Sequence, residues 1–112
     1  MRTMAFRDWE FRKGRNCTVR LGTKWKSLII NGRIKIIDVP GNWHIMFVRV
    51  KKIIACPFDM LETKDIRSYH SSKIKTIKGL YKLMKGIYEK EFGPFRIVTV
   101  IYFDVKEEII GE

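Results

Sequence analysis

Gly14-Arg15-Asn16-Cys17-Thr18-Val19-Arg20-Leu21-Gly22-Thr23-Lys24-Trp25 is the stretch on which the reading of this chain turns. It places a glycine turn before a short alternating segment, then a second glycine followed by Lys-Trp-Lys. Successive side chains of an extended strand face opposite ways. Cys17, Val19 and Leu21 are therefore expected to share a buried face, with Thr18 and Arg20 projecting together from the other. A hydroxyl and a guanidinium side by side, flanked by Arg15, Lys24 and Lys26, suit an anion or a nucleobase. The competing reading is a half-exposed edge strand with solvated basic residues.

Around this stretch the chain reads as one domain. Its 112 residues suffice for one modest core, and 46% hydrophobic against 31% charged residues is a globular balance. No apolar run approaches the roughly 20 residues that span a bilayer. The start, Met1-Arg2-Thr3-Met4-Ala5-Phe6-Arg7-Asp8, lacks a signal-peptide core, so a cytoplasmic protein without membrane association is expected. Cys17 and Cys56 are far apart and form no Cys-x-x-Cys pair, which argues against a zinc site or a disulfide framework. They read as small buried hydrophobes.

The charge is less ordinary. A net charge of +11 exceeds what solubility needs and favours a polyanionic partner, in the cytoplasm usually nucleic acid. It is also uneven. Residues 1–37 hold ten Lys or Arg against Asp8 and Glu10, whereas the segment 106–112 forms an acidic tail with Glu107, Glu108 and Glu112. A lysine- and isoleucine-rich, glutamine-free composition also suits a thermophile, a competing cause of the lysines.

The order of elements is β-rich with one helical insertion. Met4 to Phe11 fits a short strand or a helical turn, and Cys17–Leu21 is a strand. Asn31-Gly32 turns between strands at Ser27–Ile30 and Arg33–Val39, and Pro40-Gly41-Asn42 makes the next turn. Trp43–Cys56 reads as a long strand, apolar on both faces at first: Trp43, Ile45 and Phe47 on one, Met46, Val48 and Val50 on the other. Such a strand belongs in a closed or covered sheet. Ser71 or Ser72 is expected to cap a helix, after which Ile74, Ile77, Tyr81, Met84 and Tyr88 form one apolar stripe. Lys73, Lys75, Lys78, Lys82 and Lys85 lie opposite it, as a phosphate-facing or a simply solvated face. Gly93-Pro94 breaks the segment, and Phe95–Val105 is the last strand.

Catalytic motifs are mostly absent. There is no phosphate-cradling Gly-x-x-x-x-Gly-Lys-Ser/Thr and no nucleophile elbow. His44 and His70 stand without carboxylates or cysteines at ligand spacing, so no metal or other cofactor is expected. Asp59, Glu62 and Asp65 read as helix-end charges.

The glycine turn, the Thr-x-Arg strand followed by Leu-Gly-x-Lys, the isoleucine-rich strand, the helical insertion ending in Ile-Tyr and the closing Val98-Thr99-Val100-Ile101-Tyr102-Phe103 together resemble the ASCH domain, the activating-signal-cointegrator homology family. The resemblance covers residues 4 to 105. It implies an α+β, PUA-like mixed β-barrel with a helical insertion before the last strand, and a cleft beside the barrel that binds RNA. Some small members of that family are amidohydrolases that deacylate 4-acetylcytidine, and a nuclease activity has been reported within it.

The family motif commonly reads Gly-x-Lys-x-x-Thr-x-Arg. Thr18 and Arg20 match its end, Arg15 falls on its lysine, and Gly14 is displaced by one position. A lysine can shed its proton when desolvated, but an arginine stays charged. The deacylating members also carry a glutamate shortly before the long helix, where Ser68–Lys73 contains no acid. The resemblance therefore implies an RNA-binding module whose cleft is built by Arg15, Thr18, Arg20, Lys24, Trp25 and Lys26. Trp25 or Trp43 would stack a base, with core or rim packing favoured for Trp43. The alternative is a hydrolase acting on a modified nucleoside or RNA, with Thr18 as nucleophile, Lys13 as replacement base and His70 as proton carrier. A third reading is a protein-binding module whose charge reflects habitat alone.

Overall fold

Five strands and one helix organise the chain, as described by a computed structural model over residues 1–39 and 43–106. The strands are β1 (Thr3–Phe6), β2 (Gly14–Leu21), β3 (Arg33–Asp38), β4 (Ile45–Pro57) and β5 (Ile97–Val105), with α1 (Ile77–Tyr88) between the last two. They form one mixed sheet in the order β1-β3-β4-β5-β2. Only β1 and β3 run parallel.

The alternation expected for β2 holds. Cys17 and Val19 sit under α1 with Val98, Val100 and Tyr102 of β5, where Leu80 and Met84 of the helix cover them. The opposite face of the sheet carries Met4, Phe6, Ile34, Ile36, Val48, Val50, Ile101 and Phe103, sealed by Trp25 and Leu28 from the β2–β3 connection. Strand β5 is buried on both faces from Val98 to Phe103, which accounts for its apolar run Val100–Phe103.

Helix α1 depends on that packing. A twelve-residue helix is marginal alone, and Gly79 and Gly86 each cost about 1 kcal/mol relative to Ala. Fully burying Leu80 and Met84 contributes about 1.5–3 kcal/mol per side chain, enough to offset both glycines. The cap is Thr76, whose Oγ1 accepts from Gly79 N at 2.9 Å, and not Ser71 or Ser72. Those serines are engaged elsewhere: Ser72 N donates to Glu10 Oε1 at 3.0 Å, and both hydroxyls donate to the same carboxylate.

Three further expectations are corrected. Ser27–Ile30 is not a strand, because Lys24–Ser27 forms a 3-10 turn that drives Trp25 into the core. The turn at Asn31-Gly32 stands: Asn31 has φ 67°, and a Cβ on Gly32 would lie 2.8 Å from the Ile29 carbonyl oxygen. The row Trp43, Ile45 and Phe47 is exposed, since the helical layer packs on β2, β5 and the far part of β4. The sheet is also not closed into a barrel among the described residues. The outer edge of β2 at Cys17 is occupied by the segment before the helix, with Cys17 N donating to Ser68 O at 2.8 Å and His70 N to Cys17 O at 3.0 Å. That edge cannot also pair with β1. The turn expected at Pro40-Gly41-Asn42 and the acidic tail at 107–112 lie outside the described residues.

Gly14 opens β2 at φ 91°, a conformation that favours glycine. The fully buried Asn16 fastens this turn. Its Nδ2 donates to the carbonyls of Arg12 (2.8 Å) and Gly14 (3.0 Å), and its Oδ1 accepts from Arg12 N at 3.3 Å. Asn16→Ala strands these backbone groups and is expected to cost about 1–3 kcal/mol in urea unfolding. Thr23→Ala, at an exposed position, is expected to change stability by less than about 0.5 kcal/mol.

Candidate functional site

The gap between the two edge strands is a cavity of about 590 Å³, within the range of small-molecule sites. Its walls come from the end of β1, the middle of β2, the segment Tyr69–Ile74 and the last turns of α1. Thr18 and Arg20 line it, as the alternation of β2 dictates. Arg7, Arg20 and Lys73 give the lining three cations against one carboxylate, Asp8.

Arg20 is the centre of the site. Its guanidinium lies 4.5 Å from the centroid of the Phe6 ring, and its Nε donates to Thr18 Oγ1 at 3.2 Å. Burial lowers its basicity, while the nearby phenols of Tyr88 and Tyr69 act the other way. A guanidinium stays charged under such conditions. No carboxylate pairs with it among the described residues, so its remaining N–H groups are left for an acceptor brought by a ligand. The same burial pushes the Tyr69 phenol up to about 12, keeping it a neutral donor.

His70 forms part of the wall and is 6% exposed. It packs against Phe11 (centroids 5.3 Å apart) and meets Phe6 edge-on at 4.9 Å. Desolvation pushes its pKa down to about 4, so the ring is neutral near pH 7. Its Nδ1 lies 3.2 Å from the Glu10 carbonyl, which selects the Nδ1–H tautomer and leaves Nε2 as an acceptor. Glu10 in turn is ionised below the usual carboxylate range by its hydrogen bonds from Ser72.

The structure brings Thr18, Arg20 and His70 to one cavity but not the other expected site residues. Arg15 faces the opposite way along β2 and pairs with Asp104 at 2.8 Å. Trp25 is buried, with the Arg2 guanidinium 4.6 Å and the Lys24 ammonium 5.0 Å from its ring. Lys24 and Lys26 belong to the same 3-10 turn, away from the cavity lining. Lys13 is exposed and off the lining, so it does not stand in for a base beside Thr18. Asp8, Tyr69, Lys73 and Tyr88 were not legible as site residues. They arrive from three separate segments, and Tyr88 read simply as part of the helical stripe; its hydroxyl accepts from Leu21 N at 3.4 Å. Cys17 and Cys56 are free thiols, Cys17 raised to about 11 by burial. No three metal-ligating side chains gather among the described residues, and no described helix is long and apolar enough to cross a membrane.

No family model matches the chain, and no curated protein matches it. Solved structures do. An ASCH domain from Lactobacillus crispatus JV V101 superposes with a TM-score of 0.60 at 10% identity, covering 84% of this chain and 64% of that one. A DUF984 protein from Enterococcus faecalis V583 superposes with a TM-score of 0.58 at 16% identity, covering 84% and 61%. The chain thus spans less than two thirds of the length of these neighbours, and at such identities the likeness is one of fold. The fold is ASCH-like: a small α+β arrangement with a five-stranded mixed sheet and one helix.

The buried imidazole makes stability depend on pH. The unfolded chain takes up this proton near pH 6.5 and the folded one only near 4, so protons favour unfolding as pH falls through that window. Between pH 7 and pH 5, where carboxylates are still ionised, urea unfolding should show a loss of about 2 kcal/mol. His70→Gln is expected to lower stability at pH 7 yet flatten this dependence.

Proposed function

We propose that the protein is an RNA-binding module that holds an unpaired base or a nucleotide in the cavity between β1, β2 and α1. One observation carries this reading: a half-buried guanidinium, Arg20, lacks a carboxylate partner and sits in a cavity whose other charges are mostly positive. A desolvated guanidinium recognises phosphate or carbonyl acceptors through directional, charge-assisted hydrogen bonds. Around it are the features of a nucleotide site: phenols at Tyr69 and Tyr88, a neutral imidazole acceptor at His70, and Lys73 for a phosphate. Unpaired RNA bases are commonly read by such edges and rings. The ASCH-like fold and the net charge of +11 support the same partner.

The hydrolase alternative finds one carboxylate, Asp8, on the same cavity as Thr18. Three features favour binding over turnover. Thr18 is 2% exposed, with its hydroxyl oxygen taken by Arg20. His70, neutral near pH 7 with its proton on Nδ1, holds none on Nε2 for a leaving amine. Arg15, in the position of the family lysine, is committed to Asp104.

Binding of short single-stranded RNA, followed by fluorescence anisotropy, should weaken linearly on a log–log plot against salt as phosphate contacts release counterions. Arg20→Gln is expected to reduce affinity about tenfold or more, and Lys73→Ala several-fold with a smaller salt slope. No binding at low salt would overturn the proposal. Turnover of 4-acetylcytidine that disappears in Thr18→Ala would replace it with the hydrolase.

A further inference from the structure

We infer that the uncovered part of the sheet, on the face that carries α1, is a second single-stranded RNA surface, where Phe47 and Trp43 stack bases and Arg33, Lys35 and Arg49 hold phosphates. The site is independent of the cavity, although it extends the same RNA reading to another side of the molecule.

The placement follows from strand register. Arg33 stands opposite Arg49, Lys35 opposite Phe47 and Ile37 opposite Ile45. Directly paired residues share a face, and the intervening Ile34, Ile36 and Val48 are buried on the other. This face therefore presents a row of apolar side chains interleaved with cations. Phe47 is 49% and Ile45 57% exposed, and Trp43, just before β4, is 84% exposed. The Arg33 guanidinium lies 5.0 Å from the centroid of the Phe47 ring. Asp104, in register with Arg49, is the carboxylate nearest in the ladder, and it is already paired with Arg15.

Charge and chemistry select the occupant. The cores of protein–protein interfaces are depleted of lysine and of charge generally, whereas here Lys35 stands directly opposite the central aromatic. Exposed rings set among cations, on a rigid sheet, are what sequence-tolerant binding of unpaired nucleic acid requires, since every base has a face to stack. Trp43, Ile45 and Phe47 together expose apolar surface of the kind that marks an interaction site.

The test uses the full chain, a short fluorescein-labelled oligouridylate, and uridine monophosphate as a probe too small to bridge both sites. Trp43→Ala and Phe47→Ala should each weaken oligouridylate binding about fivefold or more, while Phe47→Tyr retains it. Lys35→Ala should lower the log–log salt slope by about one. The oligonucleotide should quench tryptophan emission, and Trp43→Phe should remove that quenching. Trp43 and Phe47 are exposed and Lys35 is half-buried on the sheet face, so thermal unfolding should change little and mononucleotide binding should not change. Arg20→Gln separates the two sites: loss of mononucleotide binding with Trp43 quenching intact is expected, and quenching with no effect of Arg20→Gln would sink the cavity reading alone. Unchanged oligouridylate affinity in both aromatic variants overturns the inference. So does self-association, or a protein contact, that the same variants abolish while RNA binding persists.

Discussion

The contact between the Arg20 guanidinium and the Phe6 ring is what the site depends on. An open sheet has two edges, and in this order of strands they belong to β1 and β2. No ladder joins them, and at Cys17 the outer edge of β2 is taken by Ser68 and His70. The two edges meet instead through a cation laid over an aromatic face at 4.5 Å, an interaction that gains strength when desolvated. A backbone ladder would have filled the gap with peptide groups already satisfied. Closure by side chains leaves a chamber between the strands and a guanidinium that spends only its Nε–H on a neighbour, Thr18.

The distribution of charge bears on what such a chamber is for. Thermal adaptation through ions works best with networks of pairs. Among the described residues the pairs are isolated: Arg15 with Asp104, Lys64 with Glu62, and His44 with Asp38. Most lysines of the helix and of the sheet face therefore meet water and not carboxylates. A field left unneutralised in this way costs self-repulsion, and it draws polyanions from a distance.

Local periodicity made much of the fold legible. The side-chain alternation of Cys17–Leu21 assigned Thr18 and Arg20 to a common face, and the three-and-four spacing of Ile77, Tyr81, Met84 and Tyr88 assigned the inner side of α1. What was misread depends on partners far along the chain. Ser71 and Ser72 are good caps in isolation, but Glu10 claims them, so the helix begins at Thr76. Trp25 lies in the core and Trp43 is exposed, because exposure depends on what lies over a residue. The turn at Lys24–Ser27 folds Trp25 inward, and nothing in the helical layer packs on Trp43. Arg15 matched a motif position in line with Thr18, yet its odd place in the strand turns it to the other face. Asp8, Tyr69 and Lys73 lie in segments without period, which sequence pattern cannot aim.

The strand order has a consequence for when this protein can become itself. Strand β2 has a single sheet partner, β5, which pairs Thr18 with Ile101 and Arg20 with Thr99. Strand β2 therefore has no ladder partner until β5, far along the chain, is in place. Until then Cys17 and Val19 lack Val98, Val100 and Tyr102, the β5 share of their apolar cluster. Contacts so distant in sequence are slow to form. The chamber is thus a late product of synthesis, and a nascent or C-terminally clipped chain carries its basic residues without the site that organises them.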